Sequence, residues 1–159
     1  MPNKIFLDTN IFIDILIDEN SLKDYGNIGR EIEKIRDTKE FIKNHIIDGY
    51  KLVICSLTLA NAFYTFTIRH KKQNNEFFAK ILSKFENSEL YEVVTDTADL
   101  RNKAWQYAIK YNADYEDALQ YFCAKENGCK AIITNDKDFP QLGIALIRTD
   151  HKQKDYKPQ

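Results

Sequence analysis

The chain lacks most of the residues from which common active sites are built. Its 159 residues include three histidines, three cysteines and five glycines. His45, His70 and His151 are scattered without partner spacing, which argues against histidine acid–base chemistry and leaves no Ser/His/Asp or Cys/His arrangement. The glycines form no phosphate-cradling loop. Cys55, Cys123 and Cys129 make no CxxC pair and have no histidine at ligand spacing, so zinc is not expected. Their apolar neighbours predict free, buried thiols, as in a reducing cytoplasm. There is no long apolar run: Ile11 to Ile17 is interrupted by Asp14 and closed by Asp18, too short to span a bilayer. Met-Pro-Asn-Lys leads straight into an apolar run, so no signal peptide is expected. With 23 basic against 24 acidic residues the net charge is −1, and any nucleic-acid contact must come from local patches, not bulk charge.

What remains is a globular composition, 43% hydrophobic and 30% charged, enough for one domain with a real core. Five short apolar runs predict strands: Ile5 to Leu7, Leu52 to Cys55, Tyr91 to Val94, Ala131 to Thr134 and Ile144 to Ile147. Helical periodicity fills the intervals. A helix follows Asn10, and another spans Arg30 to Ile47 after a loop at Gly26, Asn27 and Gly29. Helices over Thr58 to Arg69 and Glu76 to Phe85 are separated near Gln73-Asn74-Asn75. Two more cover Ala98 to Tyr111 and Tyr115 to Lys125, the last stopped by Gly128. Alternating strands and helices predict an α/β fold, a parallel sheet flanked by helices. The domain is expected over residues 1–150, followed by a polar tail over 151–159.

The chemistry is carried by acids. Asp8 ends the apolar run Ile5 to Leu7, where an ionised group costs desolvation unless something pairs it. Asp114, Glu116 and Asp117 open a predicted helix, and Asp136 and Asp138 follow the fourth strand. In a parallel sheet these positions share one edge, the side on which α/β folds carry ligands. Clustered carboxylates repel unless cations neutralise them, and hard oxygen donors suit Mg²⁺ or Mn²⁺. Each acid also has a plainer role open to it: Asp114 is a good N-cap with Asp117 three residues on, and Asp136 and Asp138 suit the turn before Phe139-Pro140.

Phe-Leu-Asp-Thr-Asn (Phe6 to Asn10), Glu-Asp-Ala-Leu-Gln (Glu116 to Gln120) and Ile-Thr-Asn-Asp-Lys-Asp-Phe (Ile133 to Phe139) together resemble the PIN domain, nearest the branch of bacterial VapC-type toxins. The resemblance spans nearly the whole chain. It implies a three-layer fold with a five-stranded parallel sheet, Mg²⁺- or Mn²⁺-dependent endoribonuclease activity, frequent dimerisation and inhibition by a small cognate antitoxin. By motif, Asp8, Asp117 and Asp136 match the first, third and fourth metal-binding acids. Thr9 and Asn10 beside the first acid, and Thr134 and Asn135 beside the last, match polar positions; Asp114, Glu116 and Asp138 are auxiliary acids. The second acid, usually a glutamate, is Asn61 here, in Ser-Leu-Thr-Leu-Ala-Asn (Ser56 to Asn61). An amide offers a neutral oxygen but removes a charge, which Glu116 is placed to restore.

Cations near the acids are expected to meet RNA. Arg69-His70-Lys71-Lys72 is the densest basic run, though Arg69, Lys71 and Lys72 also suit a helix C-terminus. Lys137 lies between Asp136 and Asp138, better placed to touch a phosphate. Tyr64, Phe66, Phe77, Phe78 and Phe85 are expected mainly in the core, with some left for a dimer face or an antitoxin groove. Two other functions fit parts of the pattern. A Mg²⁺-dependent phosphohydrolase of haloacid-dehalogenase type also places an aspartate after strand one, but needs an acid where Asn10 stands. A non-catalytic PIN-like module binding RNA or protein would explain Asn61.

Overall fold

The computed structural model describes residues 3–17, 32–69 and 75–149. The expected loop at Gly26 to Gly29, the break at Gln73-Asn74 and the tail 151–159 lie outside them. Five strands follow the expected runs within one residue at either end: β1 (Lys4–Leu7), β2 (Lys51–Cys55), β3 (Tyr91–Val94), β4 (Ala131–Ile133) and β5 (Ala145–Ile147). All four pairings are parallel and the strand order is β3-β2-β1-β4-β5. The chain builds outward from β1 to β3, then returns to the other side of β1. The strand order therefore reverses between β1 and β4, the point at which open α/β sheets form a crevice beyond their carboxyl ends.

The strands alternate cleanly between two cores, as a two-residue period demands when both faces are covered. Ile5, Leu7, Leu52, Ile54, Ala131 and Ile133 belong to one buried cluster. It is packed by α1 (Thr9–Leu16), α2 (Ile32–Ile47), α3 (Ser56–Phe63) and α4 (Asn75–Glu86). Phe6, Val53, Cys55, Ile132 and Leu146 belong to the other, beneath α5 (Ala98–Tyr111) and α6 (Tyr115–Glu126). Each large apolar side chain so buried contributes about 1.5–3 kcal/mol by leaving water. Phe66 packs on Phe78 with ring centroids 4.9 Å apart, whereas Tyr64 is half exposed.

Two local details differ from the expectations. Asp8, not Asn10, is the N-cap of α1, extended at φ −61°, ψ 151° and accepting the Thr9 N–H; Asn10 lies inside the first turn. The helix expected over Thr58 to Arg69 begins at Ser56, and its last six residues, Tyr64–Arg69, wind as a π-helix. There the Thr67 hydroxyl donates to the Phe63 carbonyl at 2.6 Å, a side-chain bond that competes with the helical ladder. Of the helix expected over Arg30 to Ile47, the part Ile32–Ile47 is observed, and Arg30 lies outside the described residues.

The end of α6 follows the expectation. Gly128 takes φ +70°, its N–H donates to the Lys125 carbonyl and the Cys129 N–H to the Ala124 carbonyl. This paired closure suits a glycine in the left-handed region. All three cysteines are free and buried. Among the described residues no helix is long and apolar enough to cross a membrane.

Candidate active site

Asp8 leaves β1 where β1 meets β4. Its N–H donates to the Ile133 carbonyl at 3.0 Å, continuing the ladder that pairs Leu7 with Ile133. The next residue of that neighbouring strand, Thr134, is fully buried and donates its hydroxyl to Asp8 Oδ2 at 2.8 Å. The same hydroxyl accepts the Asp136 N–H at 3.0 Å. One threonine thus joins the acid after β1 to the acid after β4.

Asp8 is only 3% exposed. Burial pushes its carboxyl above the usual aspartate range and the charge of Asp136 adds to this, against hydrogen bonds from Thr134, Thr9 and Gln120. Asp117, in the first turn of α6, is pushed up to about 8. The causes are burial, then the charge of Asp8, then Asp136 as hydrogen-bond partner and as charge, then Asp114. Asp8, Asp117 and Asp136 therefore form one interacting group. Among the described residues no lysine or arginine closes an ion pair with any of them.

The other candidates divide. Asp114 caps α6, its Oδ1 accepting the Asp117 N–H at 3.0 Å, so its local role is structural whatever else it does. Asp136 Oδ1 accepts the Asp138 N–H at 2.9 Å, the turn expected there; Asp138 itself is exposed. Asn135 turns away to Thr149, exchanging two hydrogen bonds at 2.9 and 3.1 Å, while Thr149 bonds Thr38 at 2.8 Å. Asn61 donates its amide to Glu116 Oε2 at 3.2 Å: the residue in place of the second acid holds the neighbouring glutamate. Lys137 is exposed beside Asp136. The Arg69 side chain, Lys71 and Lys72 lie outside what the structure describes.

Two residues given no role above are part of the site's framework. Gln120 is 1% exposed and Thr58 fully buried. Gln120 Oε1 accepts the Thr9 N–H at 2.9 Å and the Thr9 hydroxyl at 3.1 Å, and the Thr9 and Thr58 hydroxyls are 3.1 Å apart. Further along the edge, Asp96 after β3 accepts from Ser56 at 2.9 Å and pairs with Arg101 at 3.1 Å. Gln120 had one sequence signal: it stands three and four residues after Asp117 and Glu116, on the same helical face.

The donor set, carboxylates and an amide oxygen, suits a hard divalent cation, and repulsion between acids without a protein cation gives a reason to bind one. Among the described residues, however, no three Asp, Glu, His or Cys side chains close into a group that holds an ion. The acids share an edge and a field, not a finished coordination shell.

Known proteins share this architecture. The crystal structure of VapC20 from Mycobacterium tuberculosis, a sarcin–ricin loop cleaving toxin, superposes with a TM-score of 0.61 at 18% identity, covering 91% of this chain and 98% of that one. A toxin–antitoxin complex from Klebsiella pneumoniae gives 0.59 at 15% identity, over 92% and 98% of the two chains. VapBC2 of Rickettsia felis, bound to a DNA fragment from its promoter, gives 0.56 at 15%, over 91% and 98%. In sequence, ribonuclease VapC1 of Aquifex aeolicus (strain VF5) is 24% identical over 149 residues, 92% of this chain and 91% of that protein. The PIN domain model matches residues 5–145, a span running from β1 to the first residue of β5. The chain belongs to the PIN domain family.

Proposed function

We propose that the protein is a metal-dependent endoribonuclease and the toxin of a bacterial toxin–antitoxin pair. One observation carries the reading: Asp8 and Asp136 share the Thr134 hydroxyl at the sheet's switch point, Asp117 lies within their field, and among the described residues no lysine or arginine closes an ion pair with any of the three. Acids gathered without a cation around a buried aspartate cost stability, and they persist where function uses them. The name of the Aquifex relative supports ribonuclease chemistry, and the Klebsiella and Rickettsia assemblies support an antitoxin as partner. Family membership supersedes the phosphohydrolase alternative.

Asp8, Asp117 and Asp136 would hold Mg²⁺ or Mn²⁺, with Glu116 and Asn61 as further oxygen donors and Thr9, Asn10, Asp114 and Asp138 around them. A divalent ion bound there supplies a Lewis acid that activates water and stabilises charge on a phosphoryl group. The chain's own residues do the rest. Thr134 keeps Asp8 and Asp136 in register, and Asn61 keeps Glu116 at the edge. Exposed Lys137 offers a cation to the RNA backbone beside Asp136. Free buried thiols fit a cytoplasmic setting, and Ile109, 83% exposed on α5, offers apolar surface to a second copy or to an antitoxin.

A second reading, a non-catalytic RNA- or protein-binding PIN module, is favoured by Asn61 and by the open spacing of the acids. Purified protein and its Asp8→Asn variant, incubated with a structured RNA pool with and without Mn²⁺, separate the two. Cleavage by wild type alone, and with metal alone, is expected. RNA binding without cleavage under all conditions would overturn the nuclease in favour of the binding module.

A further inference from the structure

We propose that Gln120 is a positioning residue that ties together the three elements carrying the acid edge and thereby sets its affinity for a divalent cation. The inference rests on the nuclease reading above. Asp8 stands between β1 and α1, Asn61 is on α3, and Glu116 and Asp117 are on α6. These elements are far apart in sequence, and apolar contacts alone do not fix how one helix slides or turns against another.

The buried chain Thr58–Thr9–Gln120 does fix it. Thr9 is the first residue of α1, and its backbone N–H is shared between Asp8 Oδ1 at 2.7 Å and Gln120 Oε1 at 2.9 Å. Because only the amide oxygen can accept from that N–H, the orientation of the Gln120 amide follows from the network itself. Its NH₂ group faces the Glu116 carbonyl at 3.4 Å, one turn back. The Thr9 hydroxyl then reaches Gln120 on one side and Thr58 on the other, at 3.1 Å each. These contacts span 111 and 49 residues of sequence, so they are tertiary ties.

Gln120 and Thr58 are almost fully buried, and burying an amide and a hydroxyl is costly unless their bonds are made. A leucine or methionine would fill the space beneath α6 without that demand. What the amide adds is a fixed relation of Glu116 and Asp117, on its own helical face, to Asp8. Removing it leaves the Thr9 N–H to the Asp8 carboxylate alone, and draws that oxygen toward its own helix. Outer residues that orient metal-binding groups are worth 10–100-fold in metal affinity or activity.

The test uses the full chain, Gln120→Met, which is similar in length, and Thr58→Val, which removes only the far hydroxyl. Amide exchange at Thr9 is read by NMR without metal, Mn²⁺ affinity by calorimetry, and kcat and KM on an RNA that wild type cuts. Gln120→Met should speed Thr9 exchange and weaken Mn²⁺ binding by about tenfold. It should also lower kcat, with KM changed less than about twofold. Thr58→Val should move each quantity the same way by less, and it decides the matter if Gln120→Met does not fold. Gln120→Glu, which keeps an acceptor oxygen, should restore protection at Thr9. Wild-type Mn²⁺ affinity and kcat in Gln120→Met, beside an active wild type, would overturn the inference alone. A wild type that neither binds Mn²⁺ nor cuts RNA would overturn the nuclease reading, and the inference with it.

Discussion

Asp96 and Asp8 occupy the same edge of one sheet and are treated in opposite ways. Asp96, just beyond β3, is half-buried; burial works to raise its carboxyl, but hydrogen bonds from Arg101 and Ser56 outweigh that and hold it below the usual range. Asp8, beyond β1, is more deeply buried and faces Asp136 and Asp117 with only neutral donors around it. At β3 the protein neutralises its own charge and gains a joint between β3, α3 and α5. At β1 and β4 the described residues supply no such cation. The same topology can therefore make either a structural anchor or, on the proposed reading, a cation-binding site, and the choice turns on whether a helix supplies an arginine.

The largest change should come from removing charge at the open end. Asp117→Asn is expected to lower Mn²⁺-dependent RNA cleavage about a hundredfold or more. Because it also relieves repulsion, the metal-free variant should melt above wild type at pH 8. A lower melting temperature would mean the acids are held by interactions stronger than their repulsion.

Titration should separate the two ends next. A carboxyl raised from 3.8 to about 8 by folding binds a proton more tightly in the native state, so its contribution is full below the unfolded value and lost as pH rises through 8. Metal-free protein should thus lose about 5 °C of melting temperature between pH 5 and pH 8.5, measured by calorimetry, and Mn²⁺ should recover it. Asp96 works in the opposite sense, its lowered carboxyl contributing stability that is lost as pH falls.

Breaking the closed end should cost less. Arg101 and Asp96 are both partly exposed, so Arg101→Met should destabilise by about 1 kcal/mol in urea unfolding without altering Mn²⁺ affinity. An equal loss of metal binding would show the two ends to be coupled. The smallest effect is expected from Asn61→Glu, which restores the missing charge beside Glu116 and should tighten Mn²⁺ binding by about threefold at a slight cost in metal-free stability. Unchanged affinity would mean that Glu116 already supplies the charge in full.

Legibility in the sequence followed the range of the interactions. The strands were readable because β-branched runs of the right length are a local signal, and Ala98–Tyr111 was readable from Leu100, Ala104, Tyr107 and Ala108 on one helical face; its Thr97 cap and left-handed Asn112 closure agree with those bounds. Asp114 as a cap and Asp136 as a turn residue are also local, set by spacings of three and two. Asp8 stood out because an acid rarely ends a buried strand. Gln120 did not, since a glutamine on an amphipathic helix reads as a surface residue until its partner, 111 positions earlier, is in place. The π-helical turn at Tyr64–Arg69 was equally silent, because its sequence is compatible with an ordinary helix and only packing selects the wider winding.

The bond from Thr134 to Asp8 spans 126 residues, and this has a consequence for synthesis. At 5–20 residues per second, roughly six to twenty-five seconds pass between the translation of one partner and the other. In that interval β1, β2 and β3 can pair, but the edge of β1 that awaits β4 stays open, an apolar strand with unpaired backbone groups. A nascent or truncated chain ending before β4 therefore has no complete acid edge and an edge prone to association. Loop closure over such a distance also slows folding relative to local contacts. Completion of the acid edge is coupled to completion of the sheet, because β4 must be in place before Thr134 can reach Asp8.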